Sequence, residues 1–184
     1  MRNLYWLIVA VVLATITHIA TLLFVPGFVF ERNLRLLTAD IPSNTFFILP
    51  KDAQHKVFPE YPAATVFGLC RFNLSSGTVS LNANLPDTFW TLTIYTRSGK
   101  SIYTVNDQQS GTNTFSLKVV MAPTILDLFS AKDDTDDPVE SSGWKVQSSD
   151  RHGFALFWVP SIDPAMRENL VETLSKSTCV KTAS

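Results

Sequence analysis

The sequence has no surplus of charge of either sign, and charged residues are scarce. Lys and Arg number 15 against 16 Asp and Glu, whereas proteins that bind nucleic acid usually carry a concentrated basic surface. Charged residues make up 17% of the chain, partly because the first 30 residues contain few of them. We therefore expect no nucleic-acid partner.

The sequence also lacks the motifs that would identify an enzyme or a metalloprotein. It contains no G-x-S-x-G nucleophile elbow to support a Ser-His-Asp arrangement. His55 and His152 have no partner nearby in the sequence, and we interpret them as surface or turn residues. The two cysteines, Cys70 and Cys179, lack the paired spacing of zinc ligands. No catalytic residue, metal site or cofactor is predicted, and an enzyme is the least favoured functional class.

One acidic segment has the composition of a calcium-binding loop without its pattern. It lacks the glycine and the spaced ligands of an EF-hand loop, so a solvated loop is the favoured interpretation. The segment consists of Asp133, Asp134, Asp136 and Asp137, with Glu140 nearby.

A long apolar run near the N-terminus predicts a transmembrane helix. Leu4 to Val25 contains 22 residues without Asp, Glu, Lys or Arg. As a helix it would be about 33 Å long, enough to cross a hydrocarbon core of ~30 Å. Tyr5 and Trp6 lie where an interfacial aromatic belt would be. Pro26-Gly27 is expected to end the helix.

The alternative to an anchor is a cleaved signal peptide. A signal peptide has a shorter apolar region and an A-x-A-like cleavage site, and this run is longer and has no such site. The positive-inside rule hardly decides the orientation, because Arg2 on one side faces Arg32 and Arg35 on the other. We favour a cytoplasmic N-terminus in a bacterial inner membrane, because the cysteines suit an oxidising, periplasmic side.

A histidine lies within the predicted membrane span. Thr15, His18 and Thr21 share one helical face by i, i+3 spacing. One interpretation is a contact with another transmembrane helix, since polar side chains bond across helices. The other is a neutral imidazole that bonds to its own helix or lies close to the headgroups. A proton relay is a third, less favoured role for an ionisable group at this depth.

The rest of the chain predicts a mainly β domain. Residues 1–30 form the cytoplasmic tip and anchor, 31–45 a connector that continues briefly as helix, and 46–184 a β-rich extracytoplasmic domain. Three stretches alternate polar and apolar residues with period two, and turn signals separate neighbouring strands that should pair as antiparallel hairpins. These stretches are 78–83, 90–95 and 114–119, and the turns are Ser75-Ser76-Gly77 and Arg97-Ser98-Gly99-Lys100.

The C-terminal third predicts two more strands and a helix. Phe154 to Val159 is apolar on both faces, as in a central strand, and Trp144 to Ser149 is expected to pair with it through a hairpin turn. A helix is predicted from Asp163 to Ser177, with Asp163 as N-cap and an apolar stripe of Met166, Leu170, Val171 and Leu174. A shorter helix is predicted over Pro123 to Phe129. The fold class is an antiparallel β-sandwich-like domain with a C-terminal α-helix, behind one transmembrane helix.

Cys70 and Cys179 are candidates for one disulfide if the domain lies outside the cytoplasm. The bond would join the C-terminal tail to the sheet. The alternative is two separate buried thiols that behave as small hydrophobic groups.

Three aromatic residues form a candidate ligand face. Phe89, Tyr95 and Tyr103 are predicted to lie opposite Trp90. The favoured alternative is that they pack in the second layer of a sandwich.

Several motifs resemble the family called domain of unknown function 1254, in its short membrane-anchored branch from Gram-negative bacteria. The resemblance covers most of the chain and depends on the order and spacing of the motifs. They are Tyr61-Pro62-Ala63-Ala64, Cys70-Arg71-Phe72-Asn73-Leu74, Gly77-Thr78-Val79, Phe89-Trp90-Thr91-Leu92-Thr93-Ile94-Tyr95, Gly99 and Tyr103-Thr104-Val105-Asn106-Asp107.

The resemblance implies a β-sandwich on a single anchor and a companion membrane protein related to domain of unknown function 1214. The two kinds of domain are fused in longer members, so a separate partner is expected for this chain. The family has no established activity from which catalytic residues can be carried over. Asn73 stands where relatives often have an acidic residue, which argues against an essential carboxylate there. We expect an interaction or assembly protein, with a small-ligand or glycan binding domain as the alternative.

Overall fold

The apolar run at the N-terminus forms one long helix, α1 (Arg2–Leu37), in a computed structural model that describes residues 2–37, 41–57, 61–62, 64–111, 114–123 and 144–182. The predicted end at Pro26-Gly27 is wrong, because the helix continues to Leu37. A proline removes one helical hydrogen bond, and apolar helices tolerate this loss where other groups satisfy the backbone. The segment Asn3–Val29 is long and apolar enough to cross a membrane, and none of it is buried inside the protein.

In the described residues, nine strands form two sheets. Sheet A has the spatial order β1-β2-β8-β4-β5, and sheet B has the order β7-β6-β3-β9. The strands of sheet A are β1 (Phe46–Ile48), β2 (Val66–Asn73), β4 (Thr91–Thr96), β5 (Ser101–Asn106) and β8 (His152–Val159). Those of sheet B are β3 (Thr78–Asn84), β6 (Thr114–Met121), β7 (Trp144–Ser148) and β9 (Thr178–Thr182).

The core lies between the two sheets, and alternation along the strands produces it. Leu81 on β3 and Leu117 on β6 face Leu92, Ile94 and Phe157 on sheet A, and all five are at most 1% exposed. Their polar neighbours point away from the core, as period-two strands require. The predicted mainly β, sandwich-like fold is confirmed.

A disulfide joins the two layers. Cys70 on β2 and Cys179 on β9 are bonded, with their Cα atoms 6.2 Å apart. Both residues are buried, so the bond passes through the core.

The position of β8 at the centre of its sheet is confirmed, but its predicted hairpin partner is wrong. β8 pairs with β2 and β4, whereas β7 lies in sheet B, parallel to β6, with Val146 opposite Val119. Periodicity indicates which face of a strand is buried but does not select its neighbour. The turn Ser75-Ser76-Gly77 likewise carries the chain from sheet A to sheet B, whereas the turn at 97–100 closes the predicted β4–β5 hairpin.

The described helices that follow α1 are short. α2 (Lys51–Val57) follows β1, and α3 (Asp107–Ser110) follows β5. The predicted C-terminal helix is confirmed: a 3₁₀ turn (Pro164–Met166) leads into α4 (Arg167–Ser175), and the Asp163 side chain accepts from the amide of Ala165 at 2.9 Å.

Part of the predicted apolar stripe packs against the sandwich. Leu170 and Leu174 on α4 are buried, whereas Met166 is exposed because it precedes the first turn of α4. Of the helix predicted over Pro123 to Phe129, only Pro123 is a described residue. That helix and the acidic run around Asp133 therefore lie outside the part of the chain that the structure describes.

Candidate functional site

The outer face of sheet A carries a second apolar cluster. β8 is apolar on both sides, so Phe154, Leu156 and Trp158 point outward while the residues between them face the core. The start of α2 and the segment before it cover part of this face, with Leu49 only 1% exposed. The described residues of this cover leave one end of the face open.

Four aromatic rings meet at that open end and form what we call the aromatic patch: Tyr61, Phe67, Phe89 and Trp158. The ring centroids of Tyr61 lie 5.4 Å from Phe67 and 5.8 Å from Trp158, and Phe89 lies 5.9 Å from Trp158. All three pairs are edge-to-face, an arrangement favoured by the ring quadrupoles. Tyr61 and Phe89 are each 41% exposed, whereas Phe67 is buried beneath them.

The indole N–H of Trp158 is the unusual feature of the patch. Its nitrogen, Nε1, is buried and has no hydrogen-bond partner among the described residues. Buried tryptophans usually find a partner for this donor, because an unpaired buried polar group costs about 1–3 kcal/mol. An acceptor could reach it only after a neighbouring side chain moves.

The predicted ligand face of Phe89, Tyr95 and Tyr103 is not a single surface. Phe89 lies in the aromatic patch, and Tyr95 stacks on Phe154 at 5.0 Å on the same side of sheet A. Tyr103 is paired with the inward-facing Ile94 and packs against the core. Tyr103 therefore does not share the outer face with Phe89 and Tyr95, because the register of β5 turns its side chain inward.

Trp90 is a core residue, whereas Tyr103 is half-buried at the edge of the core. The ring centroids of Tyr103 and Trp144 lie 6.0 Å apart. Burial raises the pKa of the Tyr103 hydroxyl above 10.0. Trp90 is 2% exposed, and its ring centroid lies 6.1 Å from that of Phe115.

Sequence reasoning missed Tyr61 and Trp158 as members of the patch. The double-sided apolarity of β8 was a signal for Trp158, because a central strand with two apolar faces requires cover on both. No sequence pattern places Tyr61 beside it, since residues 61 and 158 are distant in the chain.

The predicted intramembrane face is exposed on α1. The hydroxyl groups of Thr15 and Thr21 donate to the carbonyls of Val11 and Thr17 in their own helix, at 2.9 and 2.8 Å. His18 is exposed and shows no hydrogen bond to a described residue. It lies two residues from the midpoint of the apolar segment, or about 3 Å along the axis.

The remaining histidines have the exposed positions expected of them. His55 lies on α2, and His152 begins β8 at the end of a turn. Within the described part of the chain, no group of three or more His, Cys, Asp and Glu residues is arranged to hold a metal ion.

The architecture defines the class of protein as a two-sheet β domain with a short C-terminal helix, behind an apolar N-terminal helix. No protein-family model matches the chain, and no curated protein matches it. The solved structures that are similar to it include the following two. The VPA0106 protein of Vibrio parahaemolyticus matches 86% of this chain with a TM-score of 0.58 at 9% identity. An uncharacterised protein of Burkholderia cenocepacia matches 76% with a TM-score of 0.46 at 10% identity.

The matched regions make up 36% and 35% of those two proteins, so the chain spans little more than a third of their length. At this identity, the likeness to the Vibrio protein concerns the fold alone.

Proposed function

We propose that this chain is a single-pass membrane protein of the bacterial cell envelope that assembles with a companion membrane protein. The N-terminus lies in the cytoplasm, α1 crosses the inner membrane and the β domain lies in the periplasm. Two observations support this placement. The segment Asn3–Val29 is long enough to cross, and the disulfide between Cys70 and Cys179 suits an oxidising compartment.

The aromatic patch is the observation that carries the assembly role. Aromatic residues are enriched at protein interfaces, where they supply large contact area, and tryptophan and tyrosine dominate binding hot spots. Tyr61 and Phe89 offer exposed ring surface, and Trp158 offers an N–H that no described residue uses. A partner that covers the two exposed rings and displaces a neighbouring side chain could also supply the missing acceptor.

The kind of partner follows from the resemblance to domain of unknown function 1254. Longer members of that family carry a second domain related to domain of unknown function 1214. The Vibrio protein likewise contains this fold as about a third of a longer chain. We propose that the companion is a membrane protein that carries a domain of the second kind.

His18 provides a second contact within the membrane. Thr15 and Thr21 satisfy their hydroxyl groups within the helix, so the imidazole is the polar group of this face that is left to bond across helices. An unpaired polar side chain near the bilayer centre is costly, and a bond to a partner helix would offset that cost.

Co-purification from native membranes tests the proposal. The tagged full chain is extracted in mild detergent, and the proteins that accompany it are identified and quantified by mass spectrometry. We expect one membrane protein in near-stoichiometric amount. Its recovery should fall about tenfold or more in Tyr61→Ala/Phe89→Ala, because each hot-spot truncation costs more than about 1 kcal/mol. Val180→Ala, an exposed apolar position on sheet B, is the matched control.

The His18→Leu variant tests the membrane contact separately. Loss of the partner in this variant and in the patch variant would establish both contacts. Equal recovery of every accompanying protein from the wild type and from both variants would contradict the assembly role.

The second candidate function is binding of a small ligand or glycan at the aromatic patch. The unused N–H of Trp158 favours it, because aromatic rings with a few placed polar groups are typical of ligand sites. Thermal unfolding of the full chain in detergent would be measured with a panel of envelope oligosaccharides. A stabilising ligand should lose its effect in Tyr61→Ala. A shift that persists in this variant would place the ligand elsewhere.

A further inference from the structure

One end of the sandwich lies beside the N-terminal helix. A Cβ atom at Gly27 of α1 would lie 3.5 Å from the carbonyl oxygen of Ser98 in the β4–β5 turn. Gly27 is two residues from the end of the apolar segment Asn3–Val29, or about 3 Å along the axis. If that segment spans a membrane, the turn lies at the level of the lipid headgroups.

The chain enters the sandwich at the same end. The amide of Asn44 donates to the carbonyl of Arg71 at 2.7 Å, and the Arg71 guanidinium donates to the carbonyl of Ile41 at 2.9 Å. The contact of Asn44 with Arg71 and the contact of Gly27 with Ser98 therefore lie at the same end of the sandwich. We call it the helix-side end.

A cleft of about 440 Å³ opens at the helix-side end, and Met121 is its apolar lining residue. Two turns contribute most of its lining, the β4–β5 turn and the turn between β7 and β8. The polar side chains in its lining belong to Arg97, Ser98, Ser149, Asp150, Arg151 and His152.

Hydrogen bonds hold both turns in place. In the β4–β5 turn, the Thr96 hydroxyl lies 3.0 Å from the Ser98 hydroxyl and accepts from the amide of Lys100 at 3.1 Å. In the other turn, the Ser148 hydroxyl donates to the carbonyl of Asp150 at 2.8 Å, and the carbonyl of Arg151 accepts from the amide of Leu74 at 2.8 Å. The backbones that carry the cleft residues are therefore well defined.

Among the described side chains, the two ends of the sandwich differ in charge. The helix-side end carries five cations, Arg71, Arg97, Lys100, Arg151 and Lys181, against one carboxylate, Asp150. At the opposite end, carboxylates outnumber cations. The carboxylates of that end are Asp52, Asp87, Asp107, Asp163, Glu168 and Glu172.

We propose that this cleft binds the phosphate-bearing headgroup of an anionic phospholipid and holds the helix-side end of the sandwich on the membrane surface. The inference rests on the proposed membrane anchor. Arg97 and Arg151 recognise the phosphate, because a guanidinium presents paired N–H donors that match phosphate oxygens. Asp150 accepts from a headgroup hydroxyl, as the glycerol of phosphatidylglycerol provides.

Lipid retention by the full chain tests this proposal. The protein is reconstituted into vesicles of equal parts phosphatidylglycerol and phosphatidylcholine and extracted again in mild detergent. The retained lipids are then counted by mass spectrometry. We compare wild type with Arg97→Gln/Arg151→Gln. The control, Lys51→Gln/Lys145→Gln, removes the same charge at exposed positions away from the cleft.

We expect the wild type and the control to retain phosphatidylglycerol in preference to phosphatidylcholine. The cleft variant should lose this preference by roughly fivefold for each charge removed, the usual contribution of a basic residue at an anionic membrane surface. An equal loss in the control variant would show that the lipid preference depends on overall charge, and it would overturn the proposal that the cleft binds the headgroup.

Two further arms separate the ways in which the proposal can fail. If the wild type shows no preference for phosphatidylglycerol, while inorganic phosphate raises its unfolding temperature and leaves that of the cleft variant unchanged, free phosphate is the ligand and the lipid assignment is wrong. If alkaline carbonate strips the chain from vesicles, the proposed anchor fails and the cleft proposal fails with it. A chain that stays in the membrane but shows no lipid preference overturns only the cleft.

Discussion

The two faces of sheet A are both apolar, yet they differ in what covers them. Sheet B closes the inner face. On that face Leu92, Ile94 and Phe157 are each 0% exposed. The outer face is closed only in part, and it leaves Tyr61 and Phe89 each 41% exposed beside Trp158. β8 contributes to both faces. Apolar character alone therefore does not distinguish a residue that stabilises the fold from one that is available to a partner.

Truncation on the inner face should have the largest effect. Phe157→Ala is expected to lower the free energy of unfolding by about 3–5 kcal/mol, because it removes a fully buried ring and leaves a cavity. Phe89→Ala is the comparison on the outer side, and it should cost less than about 1 kcal/mol because the ring is partly exposed. Denaturant unfolding of the full chain in detergent measures both. Equal costs would remove the proposed difference between the faces.

The disulfide between the sheets should contribute nearly as much to the free energy of unfolding. Cys70→Ala/Cys179→Ala is expected to lower the free energy of unfolding by about 2–5 kcal/mol, because the bond constrains a loop of 109 residues in the unfolded chain. Reductant should bring the wild type close to the value of the variant. The bond itself is checked with a maleimide on unreduced protein from native membranes, where reaction of both thiols would contradict it.

Substitution of the outer tryptophan should separate stability from binding. Trp158→Phe removes an N–H that is buried without a described partner, so unfolding free energy should change by less than about 1 kcal/mol in either direction. Trp90→Phe, on the inner side, should cost more because it opens a cavity between the sheets. Loss of the co-purified partner in Trp158→Phe, with stability unchanged, would assign the N–H to the interface. A large loss of stability would instead make Trp158 a core residue.

The smallest expected effect is a dependence on high pH at Tyr103. Burial raises the pKa of this hydroxyl above 10.0, so the folded protein keeps the proton to higher pH than the unfolded chain does. The stabilisation from this difference is complete below the unfolded pKa and is lost as pH rises through the folded pKa. Unfolding measured at about pH 9 and about pH 11 should show a smaller decrease for Tyr103→Phe than for wild type. Identical decreases would show that the hydroxyl titrates alike in both states.

Local sequence patterns predicted the elements well, because burial on one face imposes a period that local reasoning detects. The strand around Leu81, the β4–β5 hairpin and the cap at Asp163 all follow from residues close together in the chain. The pairing of Cys70 with Cys179 was also predicted, since the chain offers no other cysteine. The neighbours of β7 and the end of α1 were not predicted, because each depends on which of two tolerated arrangements the rest of the protein selects.

The sequence by itself determined an apolar helix long enough to cross a membrane, a mainly β domain and one candidate pair of cysteines for a disulfide. Only the tertiary structure decided that Tyr61 and Trp158 share one patch, that Tyr103 faces inward and that the turns carrying Arg97 and Arg151 line one cleft. The physical reason is that periodicity specifies a face, whereas contacts between distant residues depend on sheet order and register. Those are set by the packing of the whole domain and not by any one segment.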